Sequence, residues 1–295
     1  MLAVPAMAKT LLVGPARVLK TPSQAAAIAQ PGDVVRIENG LYADCAVWTP
    51  NNLTIQGVGR NVILTDRTCL NQGIFVVFGS NVTIQGLTFR NASVPGRNGA
   101  GIKMNGDNLT VLNSRFENNE NGILAGGTAR STLRIADSSF IGNGACIEAC
   151  AHAVYAGAPI GLLLVERCVF LDTRTAHHIK SRALNTIVRD TRIEDGESGT
   201  SSYLIEAAQG GGLLVQNNDL QKGPNSDNPG TAIAIGASPT RNPTQALVIR
   251  DNRFRSDVRQ PTVFVRNYTD TPVQLIDNNV VGTVQMLEGP GTVTP

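Results

Sequence analysis

The sequence predicts an all-β fold, a single parallel β-helix of about nine to ten coils with a short N-terminal capping helix. Three observations predict it. A short apolar pattern recurs at separations of 23 to 34 residues. The segments between its copies lack the helical periodicity that a helix of about ten residues would show. The chain is also rich in glycine, with 30 in 295 residues, and poor in aromatic side chains, at 4%.

The repeat reads apolar-x-apolar-x, then Gly, Asn or Asp at the bend, with a further apolar residue three positions on. The second apolar residues of the copies are Ile55, Ile84, Val111, Ile135, Val165, Val188, Val215, Ile249 and Leu275. Their separations are 29, 27, 24, 30, 23, 27, 34 and 26 residues. A period of this size, with length variation confined to the connections, is typical of a solenoid. We expect these side chains to form one buried column.

The bend and the residue after it support the same reading. Asn and Asp tolerate the left-handed backbone that a sharp corner needs. They occupy the bend in six coils, as Asn113, Asp137, Asp190, Asn217, Asp251 and Asp277. A second inward column is expected three residues further on, at Phe89, Phe116, Phe140, Phe170, Ile193, Leu220, Phe254 and Val280. Cys168 is expected to be a small inward residue.

The two ends of the chain lack the repeat. An Ala-rich run within residues 21–33 predicts a short helix that Pro31 stops, placed to cover the open end of the rod. Residues 1–14 are interpreted as a leader-like or disordered N-terminus, because Ala6-Met7-Ala8 has the small-x-small form of a signal-peptidase site. An ordinary frayed start is the alternative. The β-helix domain is expected over residues 15–288, and residues 289–295 as a tail.

Charge and cysteine content limit the function classes. The net charge of +2 gives no general attraction to nucleic acid, and no apolar run approaches the length of a membrane span. Cys45 and Cys69 are 24 residues apart, close to one period, so they are expected on adjacent coils. Cys146 and Cys150 are placed to close a small loop. Disulfides favour a periplasmic or secreted protein, with free buried thiols as the alternative.

The segment AIAQPGDVVRIENGLY, followed by these coils, resembles the right-handed parallel β-helix proteins of the pectin-lyase-like superfamily. The resemblance covers the chain from about residue 15. It implies a right-handed β-helix, and it implies that acidic, uronic-acid-containing polysaccharides or oligosaccharides lie along one face of the rod. It does not choose among lyases, hydrolases, epimerases and non-enzymatic proteins, because this fold carries all of them.

A second β-type run in each coil predicts a charged face. If Ile102, Ile123, Val154, Ile179, Ile205 and Ile233 point inward, alternation turns their neighbours outward. The outward side chains on this face are then Lys103, Tyr155, His178, Lys180, Arg182 and Glu206, joined by Arg266 on a later coil. Glycines leave room beside them. His152 and His177 complete the set of three histidines, all within 27 residues.

A face richer in Lys, Arg and His than in carboxylates favours an acidic substrate. With the resemblance, it favours β-elimination or C5-epimerisation of a uronate, in which a base removes the proton next to the carboxyl group. Arg182 or Lys180 is expected to hold the carboxylate, and His178 or Tyr155 to act as the base. The predicted substrate-binding residues are Lys103, Glu206, Arg266, His152 and His177. No cofactor and no metal are predicted.

Simpler interpretations stand beside these. Lys180 and Glu206 would also form a plain ion pair between coils, and Tyr155 would also only pack on its neighbours. The paired aspartates of the superfamily's polygalacturonases do not occur here, so a glycoside hydrolase is a remote alternative. Calcium-dependent lyases need several carboxylates, and only the loop acids Glu148, Glu194, Asp195 and Glu197 could join Glu206. The main alternative is a non-catalytic polysaccharide-binding or cell-surface β-helix protein.

Overall fold

The computed structural model describes residues 8–147, 149–239 and 242–295. They form a parallel β-solenoid of about 11 turns with almost no helix. Each regular coil contributes strands to three stacks, of which two belong to one 20-stranded sheet and the third is a ten-stranded sheet. The strands of successive coils pair in parallel in all three stacks, so residues at equivalent positions lie above one another.

The 20-stranded sheet contains the first and second stacks. The first stack holds Thr10–Val13, Val34–Tyr42, Thr54–Thr65, Val82–Gln85, Leu109–Leu112, Thr132–Ala136, Leu162–Glu166, Asn185–Arg189, Gly212–Gln216, Leu247–Arg250, Val273–Ile276 and Gly291–Thr294. The second stack holds Thr88–Arg90, Arg115–Glu117, Ser139–Ile141, Val169–Leu171, Arg192–Glu194, Asp219–Lys222, Arg253–Ser256 and Asn279–Val281.

The ten-stranded sheet forms the third side of the rod and carries the candidate site. Its strands are Ala46–Trp48, Gly73–Val77, Ala100–Met104, Asn121–Ala125, Val154–Ala156, His177–Ser181, Tyr203–Ala207, Thr231–Ile235, Thr262–Asn267 and Val284–Glu288. A short antiparallel hairpin, Ala145–Cys146 with Cys150–Ala151, projects from the loop before the fifth of these strands.

The buried columns predicted from the repeat are confirmed. Side chains from Ile55 to Ile249 at the repeat position are fully buried, and adjacent members are direct register partners. The second column forms a stack of rings, with centroids 5.2 Å apart between Phe89 and Phe116 and 4.6 Å apart between Phe116 and Phe140. Only its last member, Val280, is half-exposed. Like side chains stack because each coil repeats the conformation of the previous one.

Polar side chains also repeat in the interior, directly after the bend. The six predicted bend residues all have positive φ, between 46° and 58°. The next residue turns inward and accepts a backbone N–H from the neighbouring coil. Asn252 Oδ1 accepts from the Asn218 N–H at 3.0 Å, and Asn218 Oδ1 accepts from the Thr191 N–H at 2.9 Å. Cys168 occupies this position and is buried, as predicted. The ladder supplies partners to backbone groups that the corner would leave unpaired.

The ends of the rod extend further than the repeat indicates. Thr10–Val13 pairs with the strand beginning at Val34, and Gly291–Thr294 pairs with Val273–Ile276. These terminal strands lie beyond the expected limits of 15 and 288, and they explain why nine to ten coils was too low. Residues 1–7 of the predicted leader lie outside the described residues. The helix spans Pro22–Ala26, and its role as a cap stays a prediction.

Four of the five cysteines are joined in pairs. Cys45 and Cys69 are disulfide-bonded with a Cα–Cα distance of 5.5 Å, which confirms that they are adjacent. Cys146 and Cys150 are bonded across the hairpin. No helix among residues 8–147, 149–239 and 242–295 has the length and apolar character required to cross a membrane.

The phenylalanine stack predicts the stability effect of its central member. Phe140 is fully buried between Phe116 and Phe170, so Phe140→Ala leaves a cavity with rings on both sides. We expect the variant to lose about 3–5 kcal/mol of unfolding free energy. The matched control is Val18→Ala, because Val18 is 95% exposed. Urea unfolding followed by far-ultraviolet circular dichroism measures both, and equal midpoints for the two variants would contradict the stack's importance.

Candidate functional site

The outward column predicted on the ten-stranded sheet is present. Its register runs Lys103, Leu124, Tyr155, Lys180, Glu206, Ala234 and Arg266, one residue from each successive coil. The isoleucine and valine residues that precede them are buried in the core. The predicted direction of Lys103, Tyr155, Lys180, Glu206 and Arg266 is therefore correct.

The prediction that His178 lies on this face is wrong. His178 is fully buried, and its ring centroid is 6.4 Å from that of Phe170 inside the rod. The register pairs His177 with Tyr203 and Ile179 with Ile205, and passes over His178 and Leu204. Strict alternation therefore breaks at the start of these strands, where two consecutive residues turn inward. His178 cannot reach a substrate and is not the base.

His178 is held in a closed polar cluster. Its Nδ1 lies 2.7 Å from the Thr173 hydroxyl, and its Nε2 lies 2.9 Å from Asp195 Oδ1. Asp195 Oδ2 accepts the Gly223 N–H at 3.0 Å, which ties together neighbouring coils. All three side chains are buried. The Thr–His–Asp geometry resembles a catalytic relay, but its burial makes it structural.

The other two histidines do lie on the face, in a column beside the first. His152 Nδ1 accepts the His177 N–H at 3.1 Å, and His177 Nδ1 accepts the Tyr203 N–H at 3.2 Å. A ring nitrogen that accepts a hydrogen bond is unprotonated, so both neutral rings carry their proton on Nε2. Burial lowers the pKa of both rings, and for His152 well below its ordinary value. Neither histidine has a free nitrogen to act as a base.

Tyr203 is a member of the face that the sequence reasoning missed. Its ring centroid lies 4.9 Å from that of His177, which in turn lies 4.7 Å from His152. His152 also meets the Tyr155 ring edge-on at 4.8 Å. Four rings thus form one row. The signal was available, because Tyr203 precedes Leu204 as His177 precedes His178.

Glu206 lies within ion-pair distance of two neighbours, although the directions are too poor for its Oε2 to count as a hydrogen-bond acceptor. Its Oε2 lies 3.0 Å from His177 Nε2 and 3.1 Å from Lys180 Nζ. Burial raises the pKa of Glu206, but the interaction with His177 and the Lys180 charge outweigh burial, so the pKa lies below its ordinary value. The simpler interpretation, an ion pair between Lys180 and Glu206, is confirmed. Lys180 therefore contributes little net charge to the face.

Tyr155 and Arg182 lie beside two half-exposed glycines, Gly126 and Gly157, and we call the surface over these glycines the glycine notch. These two glycines lie in the column that leads to Arg182. A Cβ added at Gly157 would lie 3.5 Å from Tyr155 Cζ, so the phenol group lines the notch. The Arg182 guanidinium carbon lies 5.6 Å from the centre of the Tyr155 ring, and its Nε is buried without a hydrogen-bond partner among the described residues.

Lys103 reaches the notch from the opposite side. A Cβ added at Gly126 would lie 3.8 Å from Lys103 Nζ, one coil beyond the lysine's own backbone. Burial lowers the pKa of Lys103, and no charge from a described residue opposes that effect. Burial also raises the pKa of Tyr155, although Arg182 lowers it in part. The notch therefore places a half-buried phenol between two cations that lack carboxylate partners in the described chain.

The remaining candidates lie apart from the notch. Arg266 is on the same outward column but four coils from Tyr155, and it pairs with Glu288 at 2.8 Å. Glu194 pairs with Arg192 on the 20-stranded sheet, and Glu197 is in an exposed loop. Glu148 lies outside the described residues. Within the described ranges, no three His, Cys, Asp or Glu side chains are grouped so that they could hold a metal.

Comparison with known proteins agrees with this architecture. The family described as right-handed β-helix region matches residues 19–160. No curated protein matches the sequence. Among solved structures, an alginate lyase from Paenibacillus sp. str. FPU-7 aligns over 96% of this chain and 99% of its own, with 15% identity and a TM-score of 0.56. Pectate lyase Pel9A aligns over 94% of this chain and 78% of its own, with 11% identity and a TM-score of 0.55. The chain therefore has the right-handed parallel β-helix fold that these structures share.

The buried cluster around His178 predicts a pH dependence of stability. Burial raises the pKa of Asp195, but the hydrogen bond and charge of His178, with the charge of Lys222, leave it below the ordinary value. A depressed carboxyl pKa stabilises the fold above the unfolded pKa of about 4, and this contribution is lost as the pH falls through the folded pKa.

We expect Asp195→Asn to be less stable than the wild type at pH 7 by about 1–3 kcal/mol. Its stability should fall less than that of the wild type as the pH drops below about 4. Asp277→Asn is the control, because Asp277 is exposed and its left-handed bend also suits Asn. Urea unfolding at several pH values measures the difference, and parallel acid profiles for the wild type and Asp195→Asn would contradict the assignment.

Proposed function

We propose that the protein is a carbohydrate-active β-helix protein that acts on a uronic-acid-containing polysaccharide in the glycine notch, by β-elimination or C5-epimerisation. The observation that carries the proposal is the grouping of Tyr155 with Arg182 and Lys103 over two glycines. Both cations lack carboxylate partners among the described residues, so an anionic ligand would complete them. Both glycines are half-exposed, and neither has a side chain of its own to keep a sugar ring from the phenol.

Arg182 is assigned to the substrate carboxylate. A guanidinium can hold a carboxylate through two parallel hydrogen bonds, and its charge stabilises the negative charge that develops when the adjacent C–H proton leaves. Lys180 is a weaker choice than the sequence indicates, because Glu206 neutralises it at 3.1 Å. Its ammonium lies 5.9 Å from the Tyr155 ring centre, slightly further than the Arg182 guanidinium carbon at 5.6 Å.

Tyr155 is assigned to proton transfer, since all three histidines are excluded as bases. As phenolate, it removes the proton from C5 of the uronate, and the C–H electron pair moves into the carboxylate as an enolate-like intermediate. In elimination, that pair forms the C4=C5 double bond while the C4 oxygen leaves and takes a proton back from the Tyr155 phenol. In epimerisation, C5 instead receives a proton from a water molecule on the opposite face, and the hydroxide that this leaves is neutralised by the proton that Tyr155 releases to solvent.

The aromatic row gives the alternative a specific basis. His152, His177, Tyr203 and Tyr155 form adjacent rings, and aromatic rings are suited to pack against the apolar faces of sugars. A non-catalytic polysaccharide-binding protein would use this row without the proton transfer. The two hypotheses differ in turnover rather than in the substrate they favour.

Periplasmic or secreted localisation is proposed on the same terms. Two disulfides suit an oxidising compartment. The proposal has no part for a cofactor, a nucleic acid or a membrane span.

The assignment of Arg182 predicts that Arg182→Ala abolishes turnover. The test incubates the protein with alginate, polygalacturonate and other uronate polymers and follows the ultraviolet absorbance of the unsaturated uronate, with proton NMR of C5 for epimerisation. The melting temperature should change little, because the guanidinium has no ion pair among the described residues.

Arg253→Ala is the matched control, since this exposed arginine lies on the 20-stranded sheet. Full activity of Arg182→Ala on every polymer turned over by the wild type would remove Arg182 from the mechanism. Binding without unsaturated or epimerised product in the wild type would favour the binding protein instead.

The assignment of Tyr155 predicts a pH profile. Because burial raises the pKa of Tyr155 above its ordinary value near 10, the phenolate fraction, and with it kcat, should rise steadily from pH 7 to 10. Tyr155→Phe should lower kcat at least ~100-fold while the affinity for substrate changes little. Initial rates across this pH range measure both, and a Phe variant that keeps the wild-type rate or a flat wild-type profile would exclude Tyr155 as the base.

A further inference from the structure

Lys103 has a feature that the reaction at Arg182 does not use. Its ammonium group extends along the rod toward Gly126 and lies on the side of Tyr155 opposite to Arg182. The side chain is half-buried, and burial is the cause of its lowered pKa. An ammonium group that loses water without gaining an anion is unfavourable, and such groups in proteins are usually paired.

The described chain offers Lys103 no carboxylate on this face. The outward carboxylates of the ten-stranded sheet are Glu206 and Glu288, which are engaged by Lys180 and Arg266 and lie on coils beyond Tyr155. On the Lys103 side, the adjacent outward side chains are Leu124 and Asn105. The Asn105 amide is directed to Gln72, whose Oε1 it donates to at 2.9 Å. A carboxylate partner for Lys103 would come from outside these residues.

The spacing indicates what that partner is attached to. The Lys103 ammonium lies near Gly126 on the Leu124 coil, and the backbone of Arg182 lies two coils further on, ~10 Å away at the usual strand spacing. The Arg182 guanidinium extends back toward Tyr155, 5.6 Å from its ring centre, so the tyrosine lies between the two charges. The two cations therefore lie on either side of Tyr155, along the direction in which a chain would follow the notch.

We propose that Lys103 binds a second carboxylate of the same sugar chain, so that the substrate class is a run of closely spaced uronate residues rather than isolated ones. This inference rests on the proposed function for the location of the reacting residue. Lys103 then selects for charge on the far side of the reacting bond, and chains whose neighbouring carboxylates are esterified would lose this contact.

The test measures binding with turnover blocked. Tyr155→Phe is the parent, and Lys103→Met and Lys9→Met are added to it separately. Lys9 is an exposed lysine at the N-terminal end, so the control matches the change in charge and side-chain type. Isothermal titration calorimetry uses oligomannuronates and oligogalacturonates of increasing length, from the single sugar upward, with their methyl esters and neutral cello-oligosaccharides for comparison. Thermal melting of each variant shows that it is folded.

Lys103→Met should weaken binding of the longer oligouronates about tenfold, equivalent to ~1.4 kcal/mol, and leave binding of the single sugar and of the methyl esters unchanged. It should also reduce the salt dependence of binding. Lys9→Met should change none of these.

Unchanged affinity for the longer oligomers, or an equal loss for the single sugar, would overturn the role of Lys103. The outcome for the proposed reaction is separate. If Lys103→Met shows the length-dependent effect but the wild type never forms product, the role of Lys103 stands and the proposed reaction is contradicted. If the Tyr155→Phe parent binds no uronate, both proposals are contradicted.

Discussion

The backbone hydrogen bonds between successive coils determine most of what this rod can contain. Strands stack at a spacing of ~4.8 Å, and each position in a coil lies directly above the same position in the previous coil. A column must therefore accept side chains that tolerate their own neighbours. Phenylalanine rings stack on phenylalanine rings, and Asn252 caps the backbone of Asn218, which caps Thr191. Extra residues can enter only through loops, as in the longest interval, between Val215 and Ile249.

The same spacing governs the outer face. Two like charges one coil apart would repel by about 3 kcal/mol at an effective dielectric of 20, so charged side chains in one column need a partner or a neutral spacer. Lys180 has Glu206 directly above it. Lys103 has Leu124 and Tyr155 between it and Lys180. These neutral side chains, Leu124 and Tyr155, separate Lys103 from the other charges of the column. The Lys103 ammonium therefore remains without a charged partner in that column.

The positions of residues that follow the coil repeat could be predicted from the sequence. The positions of residues where the repeat or the strand alternation breaks could not. The Ile55-to-Ile249 column and the outward direction of Tyr155, Lys180 and Glu206 follow from periodicity, and both are confirmed. The terminal strands carry no copy of the repeat, so the coil number was underestimated. Tyr203 holds the position in its coil that His177 holds in the previous coil, and strict alternation alone does not assign that position to the face.

His178 shows what kind of signal the alternation rule overlooks. The column that contains it also contains Gly101, Gly122 and Ala153, and a Cβ at Gly122 would lie 2.7 Å from the Phe140 ring. Small residues therefore face the large rings across the interior of the rod. Because Gly101, Gly122 and Ala153 face the rings, their column points inward, and His178 lies in the same column. The period-2 pattern of its own strand predicts the opposite direction.

Burial separates the groups that support the fold from those free to meet a ligand. Thr173, His178 and Asp195 have relay geometry, but each is closed within the rod and satisfied by the others. The Nδ1 atoms of His152 and His177 accept hydrogen bonds from backbone N–H groups of the next coil. The stacking of the coils therefore keeps both rings neutral, with the proton on Nε2. What remains is a phenol and two cations, Tyr155, Arg182 and Lys103, whose charges the described chain leaves uncompensated. Because an uncompensated, partly desolvated charge is costly, its retention beside two half-exposed glycines is better explained by an anionic ligand than by stability.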